Sequence, residues 1–182
     1  MGERPRDGAP GIHHVIVKSA GPIEYYTDHI DRLDWLRRFV RVLDRYGWKC
    51  IVFCQMTTHA HMLVDVPDWS LSTGMQRLSC GYGKEFNARH DRSGALLGKR
   101  FWSAHKTEVE AVVAAFQYIV LNPVRAGICD RAEEWYWSSF ATSCGLASIF
   151  PFVDASAVVA ALATAPEDTS AALLALVGDV SR

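Results

Sequence analysis

Residues 48–66 constrain this chain more than any other stretch, because they hold two apolar runs, 48–56 and 59–66, separated only by Thr57-Thr58. Each run is the length of a strand, and so short a break between them reads as a hairpin. Helix-period segments flank that hairpin on both sides. In residues 28–46, Ile30, Leu33, Leu36, Phe39, Val40 and Leu43 recur at spacings of three and four, and Gly47 supplies a stop. Ser70 is placed to cap a second helix running to about residue 90, with Leu71, Met75, Leu78, Tyr82 and Phe86 along one face and Gly81 and Gly83 weakening its middle.

The outer segments complete the pattern. Residues 12–18 (IHHVIVK) form a β-branched run closed by Gly21-Pro22, and a short strand is expected over residues 100–106. Thr107 and Glu110 have the spacing of a capping box, opening a helix that lasts to about residue 121. Pro123 then ends it by pushing residue 122 out of the helical region. The order β-α-β-β-α-β with one further helix predicts an α+β fold: a ferredoxin-like (split βαβ) antiparallel sheet with helices on one face.

A length of 182 residues suits a single domain, expected over residues 12–145. Residues 1–11, rich in Gly, Pro and charge, read as a flexible N-terminus. Residues 146–182 differ in kind, with ten alanines among 37 residues. Pro166 divides them into expected helices at 154–165 and 167–177, which read as a helical extension packed on the domain.

Net charge is −1, which on its face argues against a partner as acidic as nucleic acid. Position changes that inference. Residues 1–75 balance at zero, residues 76–106 carry +5 and residues 107–182 carry −6. The middle segment, with Arg77, Lys84, Arg89, Arg92, Lys99, Arg100 and Lys106, is either a polyanion surface or a solvated face. No run of about 18 apolar residues suggests a membrane span, and no apolar N-terminal stretch suggests a secretory signal. The five cysteines are odd in number, scattered and without a CxxC pair, as expected of reduced thiols in a cytoplasmic protein.

Two constellations carry candidate chemistry. His59 and His61 are two apart in a strand, so their side chains leave one face, roughly 6.6 Å apart along the strand. They read equally as a divalent-metal pair or as two strand histidines. Tyr118 and Asn122 are four apart near the end of a helix and share a face; each also reads as structural, a packing tyrosine and a C-terminal cap. Tyr82 is a competing nucleophile, on the glycine-broken helix and without a carboxamide one turn on. His90, Trp102 and His105 are further candidates for nucleic-acid contact.

These residues stand in a recognisable arrangement. Met56-Thr-Thr-His59-Ala-His61-Met-Leu, Tyr118-Ile-Val-Leu-Asn122-Pro-Val-Arg-Ala-Gly127 and Trp135-Tyr-Trp137-Ser-Ser139 together resemble the REP-associated branch of the single-tyrosine HUH transposases. The His13-His14-Val15 and Arg100-Phe101 strands fit as well, and the resemblance covers roughly residues 12–145. It implies His59, His61 and Asn122 as ligands of Mg²⁺ or Mn²⁺ and Tyr118 as nucleophile. It also implies single-stranded DNA beside a hairpin as substrate, a 5′-phosphotyrosine link with a free 3′-hydroxyl, and a monomer in preference to a homodimer. Arg125 and the basic segment would hold phosphates. The chain departs from the family pattern at Thr57-Thr58, where Pro-Asn is usual, and at Leu97-Gly98-Lys99-Arg100, where Trp-Gln-Gly-Arg is usual. Two rivals remain: a non-cleaving hairpin-binding regulator, and a phosphodiesterase that uses water.

Overall fold

A computed structural model describes residues 8–21, 23–98, 100–154 and 169–178. Its elements are β1 (Gly11–Lys18), α1 (His29–Tyr46), β2 (Lys49–Gln55), β3 (His59–Val66), α2 (Leu71–Arg89), β4 (Trp102–Lys106), α3 (Val109–Val120), α4 (Asn122–Arg125), α5 (Phe140–Ser143) and α6 (Thr169–Gly178). The four strands form one antiparallel sheet in the order β2-β3-β1-β4, so the split βαβ expectation holds. The expected helix over 154–165 lies outside the described residues, apart from Asp154.

Period-two alternation sorts the strand residues between the two faces. On one face Val15, Val17, Phe53, Ala60, Met62 and Val64 pack against Trp35 and Phe39 of α1 and against Leu78, Tyr82 and Phe86 of α2, all fully or almost fully buried. This is the helical layer that the periodicity predicts. The opposite face has its own core, where Val52, Cys54 and Leu63 meet Val112, Ala115, Phe116, Ile119 and Val120 of α3, Phe140 of α5 and Leu173 of α6. α3 thus adds cover to the second face, chiefly over β2 and β3.

Helix ends follow local chemistry in one case and tertiary contacts in the others. Asp28 caps α1, its carboxylate accepting from the Ile30 and Asp31 amides at 2.9 and 3.0 Å, a contribution of about 1 kcal/mol. Gly47 ends α1 in the left-handed region at φ 65°. Ser70 precedes α2 but makes no side-chain cap bond; its hydroxyl accepts from the Trp48 indole N–H at 2.8 Å instead. That indole lies so close over Gly74 that a Cβ there would collide with it, which explains a glycine inside a helix.

The Thr107–Glu110 capping box is not formed: α3 starts at Val109, with Glu108 at the N-cap position and no side-chain bond to the first turn. Pro123 does end α3, though not by forcing Asn122 out of helical geometry. Asn122 opens α4, with the Arg125 amide bonding Leu121 O at 2.9 Å and the Ala126 amide bonding Asn122 O at 3.0 Å. Proline lacks the N–H that α3's ladder needs next, so the ladder stops and a new turn begins with proline in its first positions.

The Trp135–Ser139 motif closes the exposed edge of β2. Gln55 N bonds Trp137 O at 2.9 Å, the Ser139 hydroxyl accepts from Phe53 N at 2.9 Å, and Trp135 Nε1 donates to Gln55 O at 3.0 Å. An otherwise unpaired strand edge is satisfied. Arg32 sits buried among Tyr26, Trp135 and Trp137, donating to the same Gln55 carbonyl.

Candidate active site

The site lies on the second sheet face, where the Tyr118 flank of α3 meets β1 and β3. Ile16 of β1 pairs with His61 and Lys18 with His59, while His14 pairs with Leu63, so His14, His59 and His61 all project from this face. β4 contributes Trp102, opposite Ile16. The Thr57-Thr58 turn holds the histidine strand in register despite its departure from Pro-Asn. Met56 N bonds His59 O at 2.8 Å, Thr57 O accepts from Tyr25 N at 2.9 Å, and Thr58 O accepts from Ser19 N at 3.0 Å.

Tyr118 sits on the flank of α3's buried stripe, beside Ile119, and is 44% exposed. Its ring centre lies 5.5 Å from that of His61 and 5.9 Å from that of His14. The His59 and His61 rings are 4.8 Å apart and almost perpendicular. His14 Nε2 and His61 Nδ1 approach to 3.1 Å, and Trp102 meets His14 edge-on at 5.4 Å. The Arg125 guanidinium stands 5.6 Å from the Tyr118 ring centre.

Burial governs the charge state of these imidazoles. His61, 2% exposed, is held down to about 3 by desolvation first, then by the neighbouring His59 and His14. His14 is lowered to about 4 by burial and by the Lys106 ammonium. His59 is lowered by burial and by Lys18. All three are neutral at physiological pH, the form that ligates metals.

The pair fits a divalent ion on one direct observation: His61 Nε2 is buried and without a hydrogen-bond partner among the described residues. No third histidine, cysteine or carboxylate among those residues joins it in a ligand set. The Asn122 carboxamide is anchored by its nitrogen, which donates to the Tyr118 carbonyl at 2.7 Å. It is therefore tied to the tyrosine's backbone as a C-terminal cap would be.

The remaining sequence candidates separate cleanly. Tyr82 is 1% exposed in the other core, its hydroxyl donating to Tyr25 O at 2.5 Å and its phenol pushed well up by burial. His90 bonds Asp31 Oδ1 at 3.0 Å, and His105 stacks on His13 at 4.7 Å; neither reaches the site, whereas Trp102 does. Among the basic residues, Arg89 is engaged with Asp28 and Asp31, and Arg92 lies over Phe86. Arg77 and Lys84 are exposed on α2, across the sheet from Tyr118, and Lys99 lies outside the described residues. Arg100 joins Lys18 and Trp102 in lining a groove of about 520 Å³ that starts beside Ile16. Gly98 also lines it, and a Cβ there would come within 3.0 Å of the Ala20 backbone.

The sequence alone does not single out His14. Its signal was a polar residue in a β-branched run, but His13 beside it carries the same signal and faces the other way. Only the pairing of β1 with β3 distinguishes them.

A four-stranded split βαβ sheet with a tyrosine on an added helix above a strand histidine pair is the arrangement these residues build. The fold is shared with a solved structure of a REP-associated tyrosine transposase bound to a REP hairpin, at a TM-score of 0.67 and 17% identity, covering 87% of this chain and 93% of that one. A Haemophilus influenzae protein described as a REP-associated tyrosine transposase is 23% identical over 127 residues, which is 64% of this chain and 71% of that protein. Residues 13–115 match the IS200-like transposase family, and the chain belongs to it. His14, His59 and His61 fall within the matched span, and Tyr118 lies just beyond it. Among the described residues, no helix is long and apolar enough to cross a membrane.

Proposed function

We propose that this protein is a metal-dependent enzyme that nicks and rejoins single-stranded DNA beside a REP-like hairpin, through a 5′-phosphotyrosine at Tyr118. The observation that carries this reading is the exposed Tyr118 ring packed against the neutral, buried His61, whose Nε2 has no partner among the described residues. The solved relative with this fold holds a REP hairpin, in keeping with that substrate.

In the reaction the Tyr118 phenolic oxygen bonds to phosphorus as the bond from phosphorus to the 3′ oxygen breaks. The phenol loses one proton and the leaving 3′ oxygen gains one, so a free 3′-hydroxyl and a protein-linked 5′-phosphate result. Because the phosphoester bond is conserved in the link, the 3′-hydroxyl can attack it and rejoin the strand without ATP. His59 and His61, with the Asn122 carboxamide oxygen as third donor, would hold Mg²⁺ or Mn²⁺. Such an ion supplies charge neutralisation and polarisation at the phosphate oxygens.

The chain's own cations do the rest. Arg125 holds the phosphate next to the phenol. The single strand continues into the groove, where Trp102 offers a face for base stacking and Lys18 and Arg100 meet the backbone. Lys106 lies on the same sheet face. Arg77 and Lys84, exposed on α2, are left to contact the hairpin stem.

Labelled single-stranded hairpin DNA incubated with the protein and Mn²⁺ tests this. A protein–DNA adduct that survives denaturation is expected, and Tyr118→Phe abolishes it. Binding that survives chelation without any cleavage would instead select a regulator. Free 5′-phosphate ends without an adduct would select a water-using phosphodiesterase.

A further inference from the structure

A neutral imidazole carries one proton on one of two nitrogens, and only the bare nitrogen can ligate a cation. His61 therefore needs something to decide which nitrogen is bare. Its Nδ1 lies 3.1 Å from His14 Nε2, while its Nε2 is buried without a partner among the described residues. A proton at Nε2 would bury an N–H donor with no acceptor and leave no lone pair there for a cation, whereas a bare Nε2 can be satisfied by one. A proton at Nδ1 is instead satisfied at once by the lone pair of His14 Nε2.

We propose that His14 is a positioning residue: it accepts the Nδ1–H of His61, locks that tautomer, and keeps the Nε2 lone pair of His61 aimed into the site. His14 is itself held rigidly for the task. It is 5% exposed, Trp102 meets it edge-on, and Tyr118 covers it from α3. Its place on β1 sits one diagonal step from His61 across the β1–β3 ladder, where Leu63 is its direct partner. The same ring thus touches the nucleophile candidate and orients a ligand candidate, coupling β1 to both. Outer partners of metal-bound histidines act in this way, and their loss weakens metal binding by roughly 10- to 100-fold.

The inference rests on the proposed function only for the use to which the Nε2 lone pair is put. Long-range proton–nitrogen NMR of the full chain with labelled histidine, free of metal, reads the tautomer of His61 directly. The wild-type protein is expected to show a proton on Nδ1 and a bare Nε2. His14→Phe, which keeps a ring between Trp102 and Tyr118 but removes the acceptor, is expected to admit the other tautomer, whereas His14→Gln, which offers a carboxamide oxygen, retains the first.

Titration with Mn²⁺ alone gives the second readout, with affinity falling about 10- to 100-fold in His14→Phe and staying within about threefold in His14→Gln. A wild-type His61 protonated on Nε2 overturns the inference even if the variants fail to fold. So does an unchanged tautomer and Mn²⁺ affinity in a folded His14→Phe. A wild-type protein that binds no Mn²⁺ defeats the metal reading instead, and the NMR result then decides the role of His14 by itself.

Discussion

Two histidine pairs stand back to back across one sheet, and they have opposite fates. His13 and His105 face the side of α1 and α2; their rings stack at 4.7 Å, and His13 Nε2 bonds Ala9 O at 2.7 Å. His14 and His61 face the other side, contact each other through nitrogen atoms, and leave His61 Nε2 with no protein partner among the described residues. The residue type is the same and the chain positions 13 and 14 are adjacent. What differs is what meets them: His13 and His105 stack on each other, whereas α3 sets the exposed Tyr118 against His14 and His61. The tyrosines differ in the same way, with Tyr82 sealed in the core under α1 and α2 and Tyr118 exposed on the flank of α3.

The largest effect separating the two faces should be on acid stability. His14 at about 4 and His61 at about 3 sit below the ordinary histidine value near 6.5, so the unfolded chain takes up protons before the folded one does. Their contribution is fully present above pH 6.5 and is lost as pH falls from there toward 4 and then 3. Denaturant unfolding in the presence of a chelator should show stability dropping by a few kcal/mol over that window. His14→Gln should flatten the dependence, and an unaltered slope in that variant would mean that water reaches His14 and His61 more freely than their burial shows.

Trp102→Ala comes next. It removes the stacking platform beside the site and should weaken single-strand binding by about 1–3 kcal/mol, measured by fluorescence anisotropy. His105→Ala, on the same strand but the other face, should leave that affinity unchanged; equal losses would erase the distinction between the faces. The smallest effect is in salt dependence. Lys18→Ala should lower the slope of log affinity against log salt for single-stranded DNA by about 0.7. Replacing Arg77 and Lys84 together should change the slope only when the hairpin stem is present.

Local signals made much of this visible in the sequence. The alternation of β3 and the three-and-four spacing of α1 and α3 depend on near neighbours, and so did the His59–His61 and Tyr118–Asn122 spacings. What stayed hidden depends on distant partners. Ser70 has a cap's identity, but its hydroxyl is taken by Trp48. The basic segment is contiguous in the chain, yet the fold sends Arg89 to Asp28 and Asp31, Arg100 to the groove, and Arg77 and Lys84 across the sheet. His14 could not be told from His13 before the β1–β3 register was known.

The central claim is that the exposed Tyr118, set by α3 against His14 and His61, is the group that takes the strand. Mass spectrometry of the protein after reaction with single-stranded hairpin DNA and Mn²⁺, followed by proteolysis and nuclease trimming, tests it at the residue. The account predicts a 5′-phosphonucleotide on the peptide that contains Tyr118 and nowhere else. A nucleotide carried on Tyr82, on the exposed Tyr136 or on any other residue would contradict it, as would cleaved DNA with no modified peptide at all.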